Sequence, residues 1–154
     1  MTPDQFISSI AAAAMACQAK TGIPASFTIA QAALESGWGT SKTCCNALNI
    51  FNIKADRSWR GPVYRMASTE HINGKDVVLA ADWRMYATWD DCLADRAKFF
   101  QTNPRYKACF AETTGEGWAR AAQAAGYATD PKYAEKLITT MRARKLGVYD
   151  AKKP

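Results

Sequence analysis

The sequence predicts an α+β fold, mainly α, with one β-hairpin. Three observations carry this. Apolar residues recur at helical spacing in five separate segments, a single Asn73-Gly74 dipeptide joins two runs of β-type residues, and the composition is that of an ordinary globular chain. The 154 residues, 48% hydrophobic and 22% charged, have the usual size of one domain, 1–154, with 148–154 as a tail.

Thr2, Pro3 and Gln5 fit a capping box with proline at the first helical position. Phe6, Ile10, Ala13, Ala14 and Cys17 form the apolar stripe of this first helix, which Gly22 and Pro24 end. Ser26 is the expected N-cap of a second helix running to Gly37. Its stripe of Phe27, Ala30, Leu34 and Trp38 is expected in the core, while Thr28, Gln31 and Glu35 share another face that addresses a cleft. Thr40 to Ala55 reads as a loop in which Ile50, Phe51 and Ile53 need cover.

From Val63 the pattern changes to two β-type runs, Val63 to Ile72 and Val77 to Trp83. A two-residue turn at Asn73-Gly74 pairs Ile72 with Lys75 and Glu70 with Val77, so that Tyr64, Met66, Ser68 and Glu70 share one face. A lone ribbon is marginal in water. It must fold onto helices, with its tip beside a cleft. Thr88 caps the next helix, with a stripe of Trp89, Leu93, Ala97 and Phe100 and a stop at Asn103-Pro104. Thr114 to Ala125 follows, with Gly126 as C-cap. Asp130 then caps, and Pro131 opens, a last helix bearing Tyr133, Leu137, Ile138 and Met141.

The net charge of +6 favours a polyanionic partner without choosing among them. Arg142, Arg144 and Lys145 sit where cations complement the dipole of the last helix, so they do not mark a nucleic-acid patch. No apolar run is long enough to span a bilayer, and the alanine-rich start carries Asp4 where a signal peptide needs positive charge. An own export signal is therefore not expected. The five cysteines (Cys17, Cys44, Cys45, Cys92, Cys109) show no CxxC spacing and there is one histidine, so neither a zinc site nor any other cofactor is called for. Two disulfides at most can form, with Cys44 or Cys45 bridging Cys92 or Cys109. The alternative is that all five are small buried hydrophobes.

Glu35 carries the chemistry. A helix C-terminus bears roughly half a negative charge, which disfavours a carboxylate there, and Trp38 is a candidate to desolvate it further. A carboxyl kept protonated near neutral pH is the general acid that glycosidic cleavage requires. Glu70 on the ribbon is the candidate second carboxylate. Trp83 reads as core, and Trp59 as core or sugar-stacking surface.

AALESGWG, NIFNIKA, Trp59 with Gly61, the STE and NGK hairpin, FFQTNPRY and AGYATDPKYAEKL follow one another over nearly the whole chain. In that order they resemble the bacterial glucosaminidase family of flagellar wall hydrolases and autolysins. The resemblance implies a lysozyme-like helical core with a small β-lobe flanking the cleft, and endo-β-N-acetylglucosaminidase action on peptidoglycan glycan strands. It implies Glu35 as catalytic acid, Glu70 as second carboxylate and Tyr127 as an assisting tyrosine. Trp38, Asn49 and Phe51 match cleft-lining positions, and Trp59, Tyr106 and Asp130 complete the candidate substrate-binding set. One departure is visible, because the family usually writes NLFGIKA and this chain has Asn52 for the glycine. Asparagine suits a positive φ; otherwise its side chain narrows the cleft.

The same fold with one helix-end glutamate also serves lytic transglycosylases, and a wall-binding scaffold would keep the cleft without chemistry. A domain without its own export signal is expected to reach the periplasm by a secretion system as an antibacterial toxin, with a phage holin or flagellar export as alternatives. A toxin would need an immunity protein occluding the cleft in the producer.

Overall fold

The computed structural model describes residues 1–151. Its elements are α1 (Pro3–Thr21), α2 (Ala25–Ser36), α3 (Lys42–Ala47), β1 (Val63–Ile72), β2 (Lys75–Arg84), α4 (Trp89–Thr102), a 3-10 segment (Pro104–Ala111), α5 (Gly115–Ala124), α6 (Tyr133–Ala143) and a 3-10 turn (Leu146–Tyr149). The helices enclose α2, and the two-stranded antiparallel ribbon stands to one side.

α2 is central because almost nothing on it is polar and free. Ten of its twelve residues are buried, the pattern of a helix covered on every side. Phe27, Ile29 and Ala30 are fully covered, and Phe27 packs with Phe100 and Trp118 at centroid distances of 6.0 and 5.5 Å. Two expectations for this helix change. Leu34 is exposed rather than part of the buried stripe, and Thr28 and Gln31 are fully buried rather than open to a cleft. Their face still has a purpose: Thr28 accepts from Arg96 and Gln31 donates to Tyr133.

The capping box at Thr2 and Gln5 forms as read. Ser26 is not an N-cap. Pro24 holds that position with no side-chain bond, and the Asp150 carboxylate serves instead, accepting from the Ser26 backbone N–H and from Ser26 Oγ, each at 2.7 Å. The start of α2 is thus capped by a residue 124 positions away. Tyr149 and Asp150 of the expected tail are therefore held against the core, Val148 stays exposed, and 152–154 lie outside the described residues. Gly115 opens α5 directly against this point, where a Cβ would collide with Ser26 Oγ. Replacing Asp150 by alanine is expected to cost about 1–2 kcal/mol, the usual loss for a helix cap, read as a lower urea midpoint.

The hairpin has the register derived from its turn, with Ile72 opposite Lys75 and Glu70 opposite Val77. Buried Trp83 anchors its base, and Asn46 of α3 donates to the Tyr64 hydroxyl at 3.0 Å. The segment read as loop contains α3, capped by Ser41, whose side chain accepts from the Cys44 N–H. The last helix starts later than expected. Asp130 and Pro131 lie in a turn, and α6 begins at Tyr133 with the Ala134 N–H donating to Gln123 Oε1 of α5 at 2.7 Å.

All five cysteines are unpaired thiols, four buried and Cys45 exposed, so no bridge joins Cys44 or Cys45 to Cys92 or Cys109. Burial pushes the Cys44 thiol up to about 11 and that of Cys92 to about 12, which makes both inert core groups.

Candidate active site

Glu35 is the penultimate residue of α2, and the helix ends at once in left-handed Gly37 (φ 56°). Its carboxyl opens on a pocket of about 380 Å³ shared with Phe51, Asn52, Lys54, Arg96 and Tyr127 among others. Burial raises the Glu35 pKa; hydrogen bonds from Tyr133 and then Asn52 oppose that rise. The direction is the one expected, but the cause differs. Trp38 turns away to meet Phe6 edge-on at 5.9 Å, under the Arg144 guanidinium at 5.4 Å, and lines a separate depression between α2 and α6. Its left-handed backbone (φ 59°), imposed by the tight turn after α2, sends the ring there.

The residue that the sequence reading missed is Tyr133. Its hydroxyl donates to Glu35 Oε1 at 3.0 Å and accepts from Gln31 Nε2 at 3.1 Å, so a buried line of donors ends on the carboxyl. Tyr133 reads as a core residue because it lies in the apolar stripe of α6. The available signal was its hydroxyl, which needs a partner once buried, together with Gln31 and Glu35 on one face of α2.

Tyr127 reaches the pocket through a helix end. Gly126 is left-handed (φ 84°), its N–H bonds Gln123 O, and the Tyr127 N–H bonds Ala122 O, the paired closure of a Schellman motif. The ring stacks between Phe100 and Tyr133 at 5.6 Å from each. Burial raises its pKa, and so does the nearby Glu35; the group is a neutral phenol.

Glu70 does not line this pocket. It accepts from Ser68 Oγ at 3.2 Å, and Lys54, which does line the pocket, approaches it at 3.9 Å. Phe51 lines the pocket. Three other candidates do not. Asn49 is fully buried and pins the loop, donating to the carbonyls of Ile53 and Arg84 at 2.9 and 3.0 Å. Tyr106 is buried against Phe99, Phe100 and Tyr127. Asp130 is engaged with Lys136 at 2.6 Å and the Lys132 N–H at 2.9 Å. In each case the side chain satisfies the backbone or the core, a demand that precedes any ligand.

Trp59 sits in the next recess, about 610 Å³, which shares Asp56, Arg84 and Phe99 with the Glu35 pocket and so continues it as a groove. Its Nε1 donates to Pro62 O at 2.8 Å and Arg84 stacks on its ring at 5.1 Å. Arg84 also pairs with Asp95 at 2.8 Å and Asp56 at 3.1 Å, fixing the groove wall.

A helical core, a small β-lobe and one half-buried carboxyl at the end of the central helix, opening on a groove, define a domain of the lysozyme-like glycoside hydrolase class. The chain belongs to the glucosaminidase family, described as mannosyl-glycoprotein endo-β-N-acetylglucosaminidase, whose profile matches residues 11–146. It is 38% identical over 144 residues to the peptidoglycan hydrolase FlgJ of Salmonella typhimurium, covering 91% of this chain and 46% of that protein. It is 33% identical over 154 residues to the exo-glucosaminidase LytG of Bacillus subtilis, covering 97% and 54%. The chain thus spans about half the length of these relatives. The glycoside hydrolase domain of Salmonella typhimurium FlgJ superposes with a TM-score of 0.80 at 36% identity, over 94% of this chain and 98% of that one. The catalytic domain of the Listeria monocytogenes autolysin Auto gives 0.87 at 32%, over 96% and 87%.

Proposed function

We propose that this domain hydrolyses the β-1,4 bond between N-acetylglucosamine and N-acetylmuramic acid in peptidoglycan, with Glu35 as general acid. The observation that carries the reading is the Glu35 carboxyl, half-buried and raised in pKa, at the floor of a groove roomy enough for sugar rings. Relatives named peptidoglycan hydrolase and exo-glucosaminidase support the substrate. Glu35 protonates the departing glycosidic oxygen as the ring takes on oxocarbenium character, and water completes the cleavage.

Glu70 is the second carboxylate of this reading. It rides on a two-stranded ribbon and joins the pocket edge through Lys54, so it activates water when the ribbon folds over bound glycan. A second reading is favoured by Tyr127, which already lines the Glu35 pocket: the acetamido group of the sugar attacks its own anomeric carbon, polarised by the Tyr127 hydroxyl. The two give opposite anomers of the first product, inverted with Glu70 as base and retained with the acetamido group. Proton NMR of fresh digests reads this directly. Glu70→Gln is expected to slow turnover about a hundredfold under the first reading, less than the loss at Glu35, and to leave it near the parent value under the second. Mass spectrometry of the same digests tests hydrolysis itself, since a transglycosylase product is lighter by one water.

The place of action we propose is the cell wall. No helix among the described residues is long and apolar enough to cross a membrane. Delivery as a secreted antibacterial toxin gains nothing from the cysteines, which are unpaired. Capture of the product of the neighbouring reading frame tests for an immunity protein over the groove.

A further inference from the structure

Asn52 has the left-handed backbone, φ 55°, that a glycine supplies without strain, so its side chain is not needed for the turn. That side chain nonetheless sits between α3 and the end of α2. Its Nδ2 donates to the Glu35 backbone carbonyl at 2.8 Å and lies 3.5 Å from Glu35 Oε2, and its Oδ1 accepts from Thr43 Oγ1 at 2.6 Å. The orientation of the amide is fixed chemically, because a backbone carbonyl only accepts and must therefore face the NH₂ end. The carbonyl in question is one of the four left without an intrahelical partner at the end of α2. One amide thus closes the helix end, faces the carboxyl, and ties both to α3 through buried Thr43.

We propose that Asn52 is a positioning residue for Glu35, holding the end of α2 and the carboxyl in the geometry for proton transfer, a task that a glycine at this position, lacking a side chain, cannot perform. The proposal rests on Glu35 being the general acid. Besides Asn52, the carboxyl faces Tyr133 of α6 and Tyr127 ahead of it, while Lys54, Asp56, Arg84 and Arg96 charge the same pocket. Asn52 favours the ionised carboxyl; its removal therefore keeps the proton on Glu35 to higher pH.

Asn52→Gly preserves the backbone conformation and removes only the amide. Expected are a kcat about tenfold lower, the worth of one hydrogen bond at a charged group, an unchanged KM on wall glycan, and an alkaline limb of the pH–rate profile moved upward. Asn52→Asp keeps the volume but turns an acceptor toward the Glu35 carbonyl and carboxylate, so it is expected to move the limb further and to be slower than the glycine variant. Parent kcat with an unmoved limb in Asn52→Gly overturns the proposal, as does a loss confined to KM or an Asn52→Asp enzyme equal to the parent. Glu35→Gln assayed alongside separates the two levels: if it is inactive, those outcomes sink the positioning role alone, and if it is active, the general-acid reading falls with it.

Discussion

Glu35→Gln is expected to lower turnover on wall suspensions about a thousandfold, within the range for loss of a positioned general acid, while the fold persists. Glutamine keeps the shape and still accepts from Tyr133, but it has no proton to give. The same variant makes a second, opposite prediction about stability. Burial holds the Glu35 carboxyl above its ordinary pKa, so the folded chain retains a proton that the unfolded chain releases. Stability from this group is full below the unfolded pKa and is lost as pH rises toward the folded one. Glutamine does not titrate, so relative to the parent the variant gains stability as pH rises above the ordinary carboxyl value of about 4 toward the raised folded one, a gain read by comparing about pH 4 with about pH 7. Turbidity clearing measures the first effect and urea midpoints at the two pH values the second. Retained turnover refutes the acid assignment; a difference in midpoint between variant and parent that does not grow from the lower pH to the higher refutes the raised pKa, and taking the difference cancels the opposite trend of Asp56, Glu116 and Asp130, whose pKa values are lowered.

The features legible in the sequence are those fixed within a few residues. The capping box at Thr2, the Asn73-Gly74 register and the Gly126 closure that aims Tyr127 each follow from short-range backbone chemistry. The placement of Glu35 at the end of a buried helix belongs with them. What escaped depends on partners far along the chain. Asp150 caps α2 across 124 positions, and Tyr133 reaches Glu35 across 98. Trp38 and Asn49 carry motif positions, yet a left-handed turn and a loop's unpaired backbone groups claim their side chains. The resemblance to a family identified the stretches of chain that build the site, and of the side chains it named Glu35, Phe51 and Tyr127 line the pocket while Trp38 and Asn49 do not.

Arg96 carries a charge into the buried face of α4, and the helical spacing of that segment does not announce it. It lies among Leu93, Ala97 and Phe100 on the apolar stripe of α4 and is 1% exposed. Only its Nη2 has a partner, Thr28 Oγ1 at 2.6 Å; Nε and Nη1 have none among the described residues, and no carboxylate pairs with it. The guanidinium lies over Phe51, Phe100 and Phe27 at 4.6, 5.3 and 5.6 Å. Cation–π attraction of about 2 kcal/mol for a desolvated contact offsets part of the cost, but each unpartnered buried donor costs about 1–3 kcal/mol and the charge itself several more. The fold is therefore strained by this cation, in keeping with its lowered pKa, which burial causes. Methionine matches the reach of the arginine stem and suits an aromatic cage. Arg96→Met is expected to raise stability by about 1–4 kcal/mol, as replacement of buried charge by apolar volume does, and to lower turnover about tenfold, because Arg96 lines the Glu35 pocket and its charge acts on the Tyr127 hydroxyl. Denaturant midpoints and turnover on the same preparation measure both. A less stable variant would mean that the three rings hold the cation more strongly than desolvation opposes it. A more stable and fully active one would remove any part for this charge in the chemistry above it.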